Sequence, residues 1–293
     1  MTHTTAPPCD ILIDIGGTKT VVARGGTEHS LAKSVKHPTP QEDPIAALVR
    51  MIDEVSEEQP VAGIGIGVPG PFSRPEGMVV NPPNLSPAWW NLRLRDALHA
   101  QYGCPVTVEN DANCAALAEA AYGAGVNEDL VVYYTISTGV GTGIVYHGRL
   151  LIGRHDTEGG HQVLIPPHLN PPPCTCGGAG CLEALIGGRS LADLHGLEAH
   201  KLEDPAVWSG VGEWLGMAMA NTTAILDPNI IIIGGGLVAH WAAIAPSLQS
   251  TMKQLIHIQP LPRIVVERLG AEQTLLGAWR CLEDSRTPVQ EWT

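Results

Sequence analysis

An α/β protein built from two similarly planned halves is predicted by three features of the sequence. Short apolar runs alternate with longer stretches of helical periodicity. A strand, glycine turn and returning strand near the start recur near the middle. A second motif, an apolar run closing on glycines, also occurs once in each half. At 293 residues, 44% of them apolar, the chain is long enough for one large domain or two ordinary ones.

Residues 11–15 read as a buried strand, 16–20 as a tight turn and 21–24 as the returning strand. Residues 44–57 space Ile45, Leu48, Ile52 and Val55 as one face of a helix. Residues 61–70 form an apolar strand that ends in a Gly-rich loop, and 106–110 a short strand entering an Ala-rich helix over 112–121. The plan then repeats. Residues 130–136 are a strand, 137–143 a Gly/Thr-rich turn, and 144–147 the returning strand. The proline-dense segment 166–173 is a stiff connector. A long amphipathic helix covers 207–225, a strand over 229–236 closes on three glycines, and a final helix spans 271–281. No strict short repeat is present, which excludes a solenoid.

Composition narrows the function. The formal charge is −13 with 17 Lys+Arg, and no basic stripe appears. Nucleic acid is therefore not an expected partner, because phosphate contacts supply most non-specific affinity. An anionic ligand would be held by backbone amides and Mg2+ instead. No window approaches eighteen uninterrupted apolar residues and residues 1–9 lack a signal pattern, so no membrane partner is expected and the location is expected to be cytoplasmic. Three of the seven cysteines cluster; Cys9, Cys104, Cys114 and Cys281 are scattered and read as reduced thiols.

Two glycine turns bear on anion binding. In Asp14-Ile-Gly-Gly-Thr-Lys19, consecutive glycines expose amides to a phosphate, and a carboxylate just before them is placed for Mg2+ or the phosphates. This is neither the Walker A spacing nor the Rossmann fingerprint. Such a turn alone is also ordinary hairpin chemistry. The second turn, Ser137-Thr-Gly-Val-Gly-Thr-Gly143, and the glycines 234–236 make coincidence a poor explanation, although the triple glycine also suits a strand-to-helix packing turn.

The base candidate is Asp111, in Glu109-Asn110-Asp111-Ala112-Asn113 at a strand's carboxyl end. The alternative reading is a helix N-cap. An Asn–Asp pair there suits a sugar hydroxyl, the amide bonding it and the carboxylate taking its proton. Next, His161, Cys174, Cys176 and Cys181 are four ligands that suit Zn2+ and close a tetrahedron, so the site is structural. Against this stands a loop of four unligated side chains. Glu158 and Glu183 flank the cluster, either as functional acids or as solvated ones. Trp89 and Trp90 read as packing rather than sugar stacking.

With the motifs Gly65-Ile-Gly-Val-Pro-Gly-Pro71, Asn81-Pro-Pro-Asn-Leu85 and Cys174-Thr-Cys-Gly-Gly-Ala-Gly-Cys-Leu-Glu183 added in order, the chain resembles the ROK sugar kinases, glucokinase-like members above all. The resemblance covers roughly residues 10–236, and its Cys-x-Cys-x4-Cys-Leu-Glu string is its most specific part. It implies an actin-like (ribonuclease H-like) fold of two α/β domains flanking a cleft, with a hexose and a nucleotide as small-molecule partners, and a homodimer. The domains are expected at 1–112, with 271–293 packing back on it, and at 113–270, carrying the zinc site.

Carried over by position, the resemblance implies that Asp111 deprotonates the sugar 6-hydroxyl. Asn110, Glu158, His161 and Glu183 would contact ring hydroxyls, with Gly70 and Asn84 lining the pocket. His161 would face zinc with one ring nitrogen and sugar with the other. Asp14, Gly16, Gly17, Thr18, Lys19, Thr138, Gly139 and Gly235 would hold ATP. The chain departs from the family pattern at Asp156-Thr157, where many members carry a small Gly/Ala pair.

Three function classes follow. The first is an ATP-dependent hexokinase, glucose to glucose 6-phosphate, with fructokinase, mannokinase, and N-acetylmannosamine or N-acetylglucosamine kinase as alternatives. The second, a sugar-sensing repressor, is disfavoured because only nine residues precede Asp10, too few for a DNA-binding module. The third, an actin-like scaffold, has no use for Asn110-Asp111 with Glu158 and Glu183. Polyphosphate is the alternative donor, and relatives that use it often lack the cysteine cluster, which favours ATP.

Overall fold

A computed structural model describes residues 6–287. It divides into two compact units, Met1–Ala118 with Ala271–Thr293, and Glu119–Gly270. The division falls inside a helix, after Ala118, whereas the sequence reading set it at that helix's start.

The first unit holds β1 (Cys9–Ile15), β2 (Lys19–Gly25), β3 (Leu31–Pro38), α1 (Pro44–Ser56) and β4 (Val61–Val68). There follow a small hairpin, β5 (Phe72–Ser73) and β6 (Met78–Val79), then α2 (Leu94–Tyr102), β7 (Val106–Asn110) and α3 (Asp111–Tyr122). In the second unit come β8 (Leu130–Ile136), β9 (Val140–Tyr146), β10 (Arg149–Leu150), α4 (Leu182–Ile186) and α5 (Gly188–His195). It continues through α6 (Pro205–Leu226), β11 (Ile230–Gly234), α7 (Trp241–Leu255) and β12 (Arg263–Val266). Helix α8 (Gln273–Arg286) returns to the first unit.

The two sheets share one plan, with strand orders β3-β2-β1-β4-β7 and β10-β9-β8-β11-β12. Within each, an antiparallel hairpin (β1–β2, β8–β9) is extended by parallel strands on the other side (β4 and β7, β11 and β12). Ile11, Ile13 and Ile15 of β1 pack with Leu48 and Ile52 of α1 and with Ile64 and Ile66. Leu12, on the opposite face, is equally buried. Burial on both faces explains why β1 reads as a continuous apolar run rather than an alternating one. In the second unit Val132, Tyr134, Ile231 and Ile233 form the core with Leu215 of α6 and Leu248 of α7.

Strand β4 corrects one expectation. Its glycines belong to the strand, not only to the loop that ends it, because α8 lies directly upon them. A Cβ on Gly65 would stand 2.3 Å from the carbonyl oxygen of Ala278, and one on Gly67 2.3 Å from Thr274 Cγ2. Only a bare strand face lets that helix backbone approach so closely. Likewise the second glycine turn is shorter than read: β9 begins at Val140, leaving residues 137–139 as the turn. Connector 166–173 contains a single helical turn, Pro167–Leu169. No helix among the described residues is long and apolar enough to cross a membrane. Residues 288–293 of the expected 271–293 segment lie outside the described residues.

Candidate active site

In the first unit the turn at Gly16, Gly17 and Thr18 is closed at its base, where Gly16 N donates to Lys19 O at 2.9 Å. Thr39 Oγ1 donates to Gly16 O at 2.6 Å and braces the turn from β3's end. Asp14, one residue from the end of β1, is pushed up to about 7 by burial first and by the charge of Asp111 second, against the opposing pull of Lys19. Two carboxyl groups thus share one electrostatic neighbourhood at the carboxyl ends of β1 and β7, the edge where α/β sheets take ligands. The Asn81–Leu85 motif reaches the same turn: a Cβ on Gly17 would meet Asn84 Cβ and Asn84 O at 3.1 Å.

Strand β7 passes into α3 with no intervening residue. Asn110 Oδ1 accepts from Ala112 N at 2.9 Å and from Asn113 N at 3.3 Å. Asn110 therefore performs the capping that Asp111 was weighed for. With its oxygen engaged there, Asn110 presents the Nδ2 donors outward, and Gly70 lies against them, a Cβ at that position meeting Nδ2 at 3.4 Å. Asp111 Oδ1 accepts from its neighbour Ala112 N at 2.8 Å.

Behind this turn Glu109 is 5% exposed. Its Oε1 accepts from Arg74 Nη2 at 2.5 Å, Asn110 N at 2.8 Å and Asn113 Nδ2 at 2.9 Å, and its Oε2 from Arg74 Nε at 2.9 Å. Trp89 is a packing residue, fully buried with Nε1 donating to Pro40 O at 2.8 Å, while Trp90 is exposed.

In the second unit the turn carrying Thr138 and Gly139 is strapped to α5, whose Gly188 N and Arg189 N donate to Ser137 O and Thr138 O at 2.7 and 3.0 Å. Gly235 lies beside the same strand end. Its φ is 89°, and a Cβ there would come within 2.5 Å of Ile136 O, so only glycine fits. Thr138, Gly139 and Gly235 are thus brought together at the carboxyl ends of β8 and β11.

Glu183, in the first turn of α4, faces this region too. Its Oε2 accepts from Val140 N at 3.0 Å and its Oε1 from Thr175 Oγ1 at 2.7 Å. Nearby, Thr142 Oγ1 donates to Thr157 O at 3.1 Å and accepts from Gly159 N at 2.8 Å, holding the segment of Asp156, Glu158 and His161 along β9. Burial raises the Glu158 carboxyl from its ordinary value; His161 opposes the shift, while Asp156 and Glu183 add to it.

His161, Cys174, Cys176 and Cys181 converge, each offering one ligand atom within 4.8 Å of the others. Cys176 Sγ lies 3.7 Å from Cys181 Sγ, and Cys174 Sγ 3.5 Å from His161 Nδ1. A tetrahedral zinc with its usual bond lengths would set these edges at about 3.75 and about 3.55 Å. The four residues therefore fit such an ion. Because Nδ1 faces the cysteines, Nε2 of His161 is the nitrogen left for another partner.

Sequence reasoning passed over Arg74, Thr142 and Thr175. The threonines lie inside motifs whose glycines and cysteines drew the reading, Thr142 in 137–143 and Thr175 between Cys174 and Cys176. Arg74 offered one faint signal, a single base between two glycine- and proline-rich motifs in an acidic chain.

The ROK family model matches residues 11–284. A glucokinase of Thermotoga maritima is 35% identical over 260 residues, covering 77% of this chain and 81% of the relative. The ROK hexokinase of Thermus thermophilus superposes with a TM-score of 0.82 at 30% identity, covering 95% of this chain and 100% of that one. A ROK family glucokinase from Streptomyces griseus, solved with glucose and AMPPNP, gives a TM-score of 0.76 at 28% identity, covering 92% and 97%. These likenesses extend over both units and fix the fold as actin-like. With matched sheet orders, both glycine turns and the cysteine string all inside the matched span, the chain belongs to the ROK family.

Proposed function

We propose that this chain is an ATP-dependent hexokinase that transfers the γ-phosphoryl group of ATP to the 6-hydroxyl of a hexose, glucose foremost. The observation that carries the reading is the β7–α3 junction. There Asn110 caps the helix, so Asp111 is not needed as a cap and stands beside Asp14 at the sheet's ligand edge. The relatives named glucokinase and hexokinase support the substrate class.

Asp111 acts as the base. A carboxylate near pKa 4 removes little of an alcohol's proton in the ground state. In phosphoryl transfer the transition state is loose, so the O6 proton passes to Asp111 late, as the oxygen–phosphorus bond forms and ADP departs. Asn110 Nδ2 donates to a ring hydroxyl, with Gly70 and Asn84 beside it. In the second unit Glu158, His161 Nε2 and Glu183 read further hydroxyls. The nucleotide phosphates lie on the amides of Gly17 and Thr18, in the turn that Gly16 N closes by bonding Lys19 O, with Lys19, Thr138, Gly139 and Gly235 as further contacts. Asp14 is the acid that would hold the Mg2+ bound with ATP, an ion that would neutralise charge on the phosphates.

His161, Cys174, Cys176 and Cys181 would hold zinc as a closed structural site, which fixes the segments bearing Glu158 and Glu183. None of the seven cysteines is in a disulfide, and a cytoplasmic location is part of the proposal. A homodimer is the family's expectation, and sedimentation would check it. The test of function is ADP release with Mg-ATP across a panel of hexoses and hexosamines, with the product's phosphate located by NMR. Turnover is expected with glucose and at carbon 6. A panel with no turnover on any hexose would overturn the proposal.

A further inference from the structure

We infer that Arg74 is a positioning residue for the acceptor end of the site, acting through Glu109 to hold Asn110 and Asp111 in register with the hexose. The inference rests on the hexokinase reading above. Glu109 is a charge in the protein interior immediately before the two residues that handle the acceptor hydroxyls. A buried carboxylate needs its lone pairs filled. Here they are filled by the guanidinium fork of Arg74, by the backbone amide of Asn110 and by the side-chain amide of Asn113, which is itself 5% exposed. One oxygen atom, Glu109 Oε1, thus ties Arg74 to both ends of the Asn110–Asn113 turn. The two-pronged contact through Nε and Nη2 fixes the plane of the carboxylate, which a lysine's single point charge cannot do.

Arg74 is in turn held from behind. Its carbonyl accepts from Arg95 Nη1 at 3.3 Å, that of Pro75 accepts from Arg95 Nη2, and its guanidinium lies 5.2 Å from the Phe72 ring centroid. Arg74 sits in the hairpin that follows Gly70, and Gly70 is the residue lying against Asn110 Nδ2. The segment over residues 70–74 and the Asn110–Asp111 turn are therefore joined twice, once by the ion pair and once by direct packing. Loss of Arg74 leaves Glu109 without its counter-charge. The carboxylate is then free to turn, and that turn releases Asn110 N and Asn113 Nδ2 together.

The test uses Arg74→Ala and Arg74→Lys in the full chain, with hexose KM, ATP KM and kcat measured for each and hexose binding followed by calorimetry. In Arg74→Ala, kcat/KM for hexose is expected to fall on the order of 10²-fold, the scale of a small misplacement of reacting groups. Hexose KM should rise while ATP KM stays within about twofold. Added methylguanidinium should restore part of the loss in Arg74→Ala and none in Arg74→Lys. A purely structural role would lower the melting temperature and the active fraction, leaving hexose KM unmoved and unrescued, and that pattern overturns the inference. Should Arg74→Ala fail to fold, Arg74→Lys keeps a charge over Glu109 and is read alone. A raised hexose KM then supports the inference and wild-type constants overturn it. Wild-type protein that phosphorylates no hexose overturns the hexokinase reading itself. Active wild type matched by both variants overturns the Arg74 role alone.

Discussion

The carboxylate of Glu183 accepts a hydrogen bond from the backbone amide of Val140 at 3.0 Å, and the same oxygen occupies the space a Cβ on Gly139 would need, 2.5 Å away. The glycine of the second turn thus leaves the room that a side chain from another element fills. The other oxygen of Glu183 holds Thr175, next to two of the cysteines proposed for zinc. One acid ties the cysteine loop to the turn assigned to the nucleotide.

Gly139→Ala is expected to evict that carboxylate, breaking the Val140 bond. Nucleotide affinity should fall roughly tenfold, the equivalent of one hydrogen bond to a charged group. Titration calorimetry with a non-hydrolysable ATP analogue would check it. Unchanged affinity would dissociate Glu183 from the turn's shape.

Asp111→Asn keeps the shape of the turn and removes the base. Turnover is expected to drop by about 10² to 10⁴-fold, the usual contribution of a positioned proton acceptor. Hexose affinity measured without ATP should remain near wild type. Steady-state kinetics alongside calorimetry separates the two, and near-normal kcat would remove Asp111 from its role.

The raised carboxyl of Asp14 makes stability depend on pH. Its folded-state value, about 7, lies above the ordinary carboxylate value of about 4. The folded protein therefore keeps a proton that the unfolded chain releases. The resulting stability is full below about pH 4 and is lost as pH rises through 7, on the order of 1–4 kcal/mol in all. Urea unfolding at pH 5 and pH 8 should show the loss in wild type and a flatter dependence in Asp14→Asn. Equal slopes in the two proteins would count against it. Mg2+ binding, which needs the ionised carboxylate, should strengthen over the same rise in pH.

Metal analysis of purified protein is expected to give about one zinc per chain, with Cys176→Ser reducing it. Because Cys174 and Cys181 are buried and Thr175 bonds Glu183, removing the metal should also loosen Glu158 and Glu183, the acids proposed for the sugar. Hexose affinity is expected to drop in the metal-free protein, checked by calorimetry before and after chelation. A fully metal-free protein with native affinity would separate the two.

Features written in neighbouring residues were legible in the sequence. The buried strand β1, the turn after Asp14 and the three cysteines each announce themselves within about ten residues. Strand β3, at a sheet edge with Lys33 half-buried and Lys36 and His37 exposed, lacks the apolar pattern that marks a strand. Helix α7 carries Pro246 inside it, a residue that ordinarily signals a break. The glycines of β4 looked like a loop because glycine reads locally as a breaker, whereas their reason is α8, synthesised far later. Arg74 and Glu109 were invisible as a pair for the same cause: nothing near either residue names the other. Asn110 as the cap could be seen only once the helix start was fixed at Asp111.

The placement of α8 upon the glycine face of β4 also sets an order of assembly. Residues 119–270 are a continuous stretch of chain with their own core, so they can close as soon as they leave the ribosome. The first sheet is made earlier yet must wait, since one of its faces stays wet until the last helix arrives. At ordinary rates of synthesis that wait is on the order of 10–30 s. During it the glycine face of β4, with Leu12 of β1 beside it, is an open invitation to other chains, and a protein truncated before α8 would aggregate from its first half rather than its second.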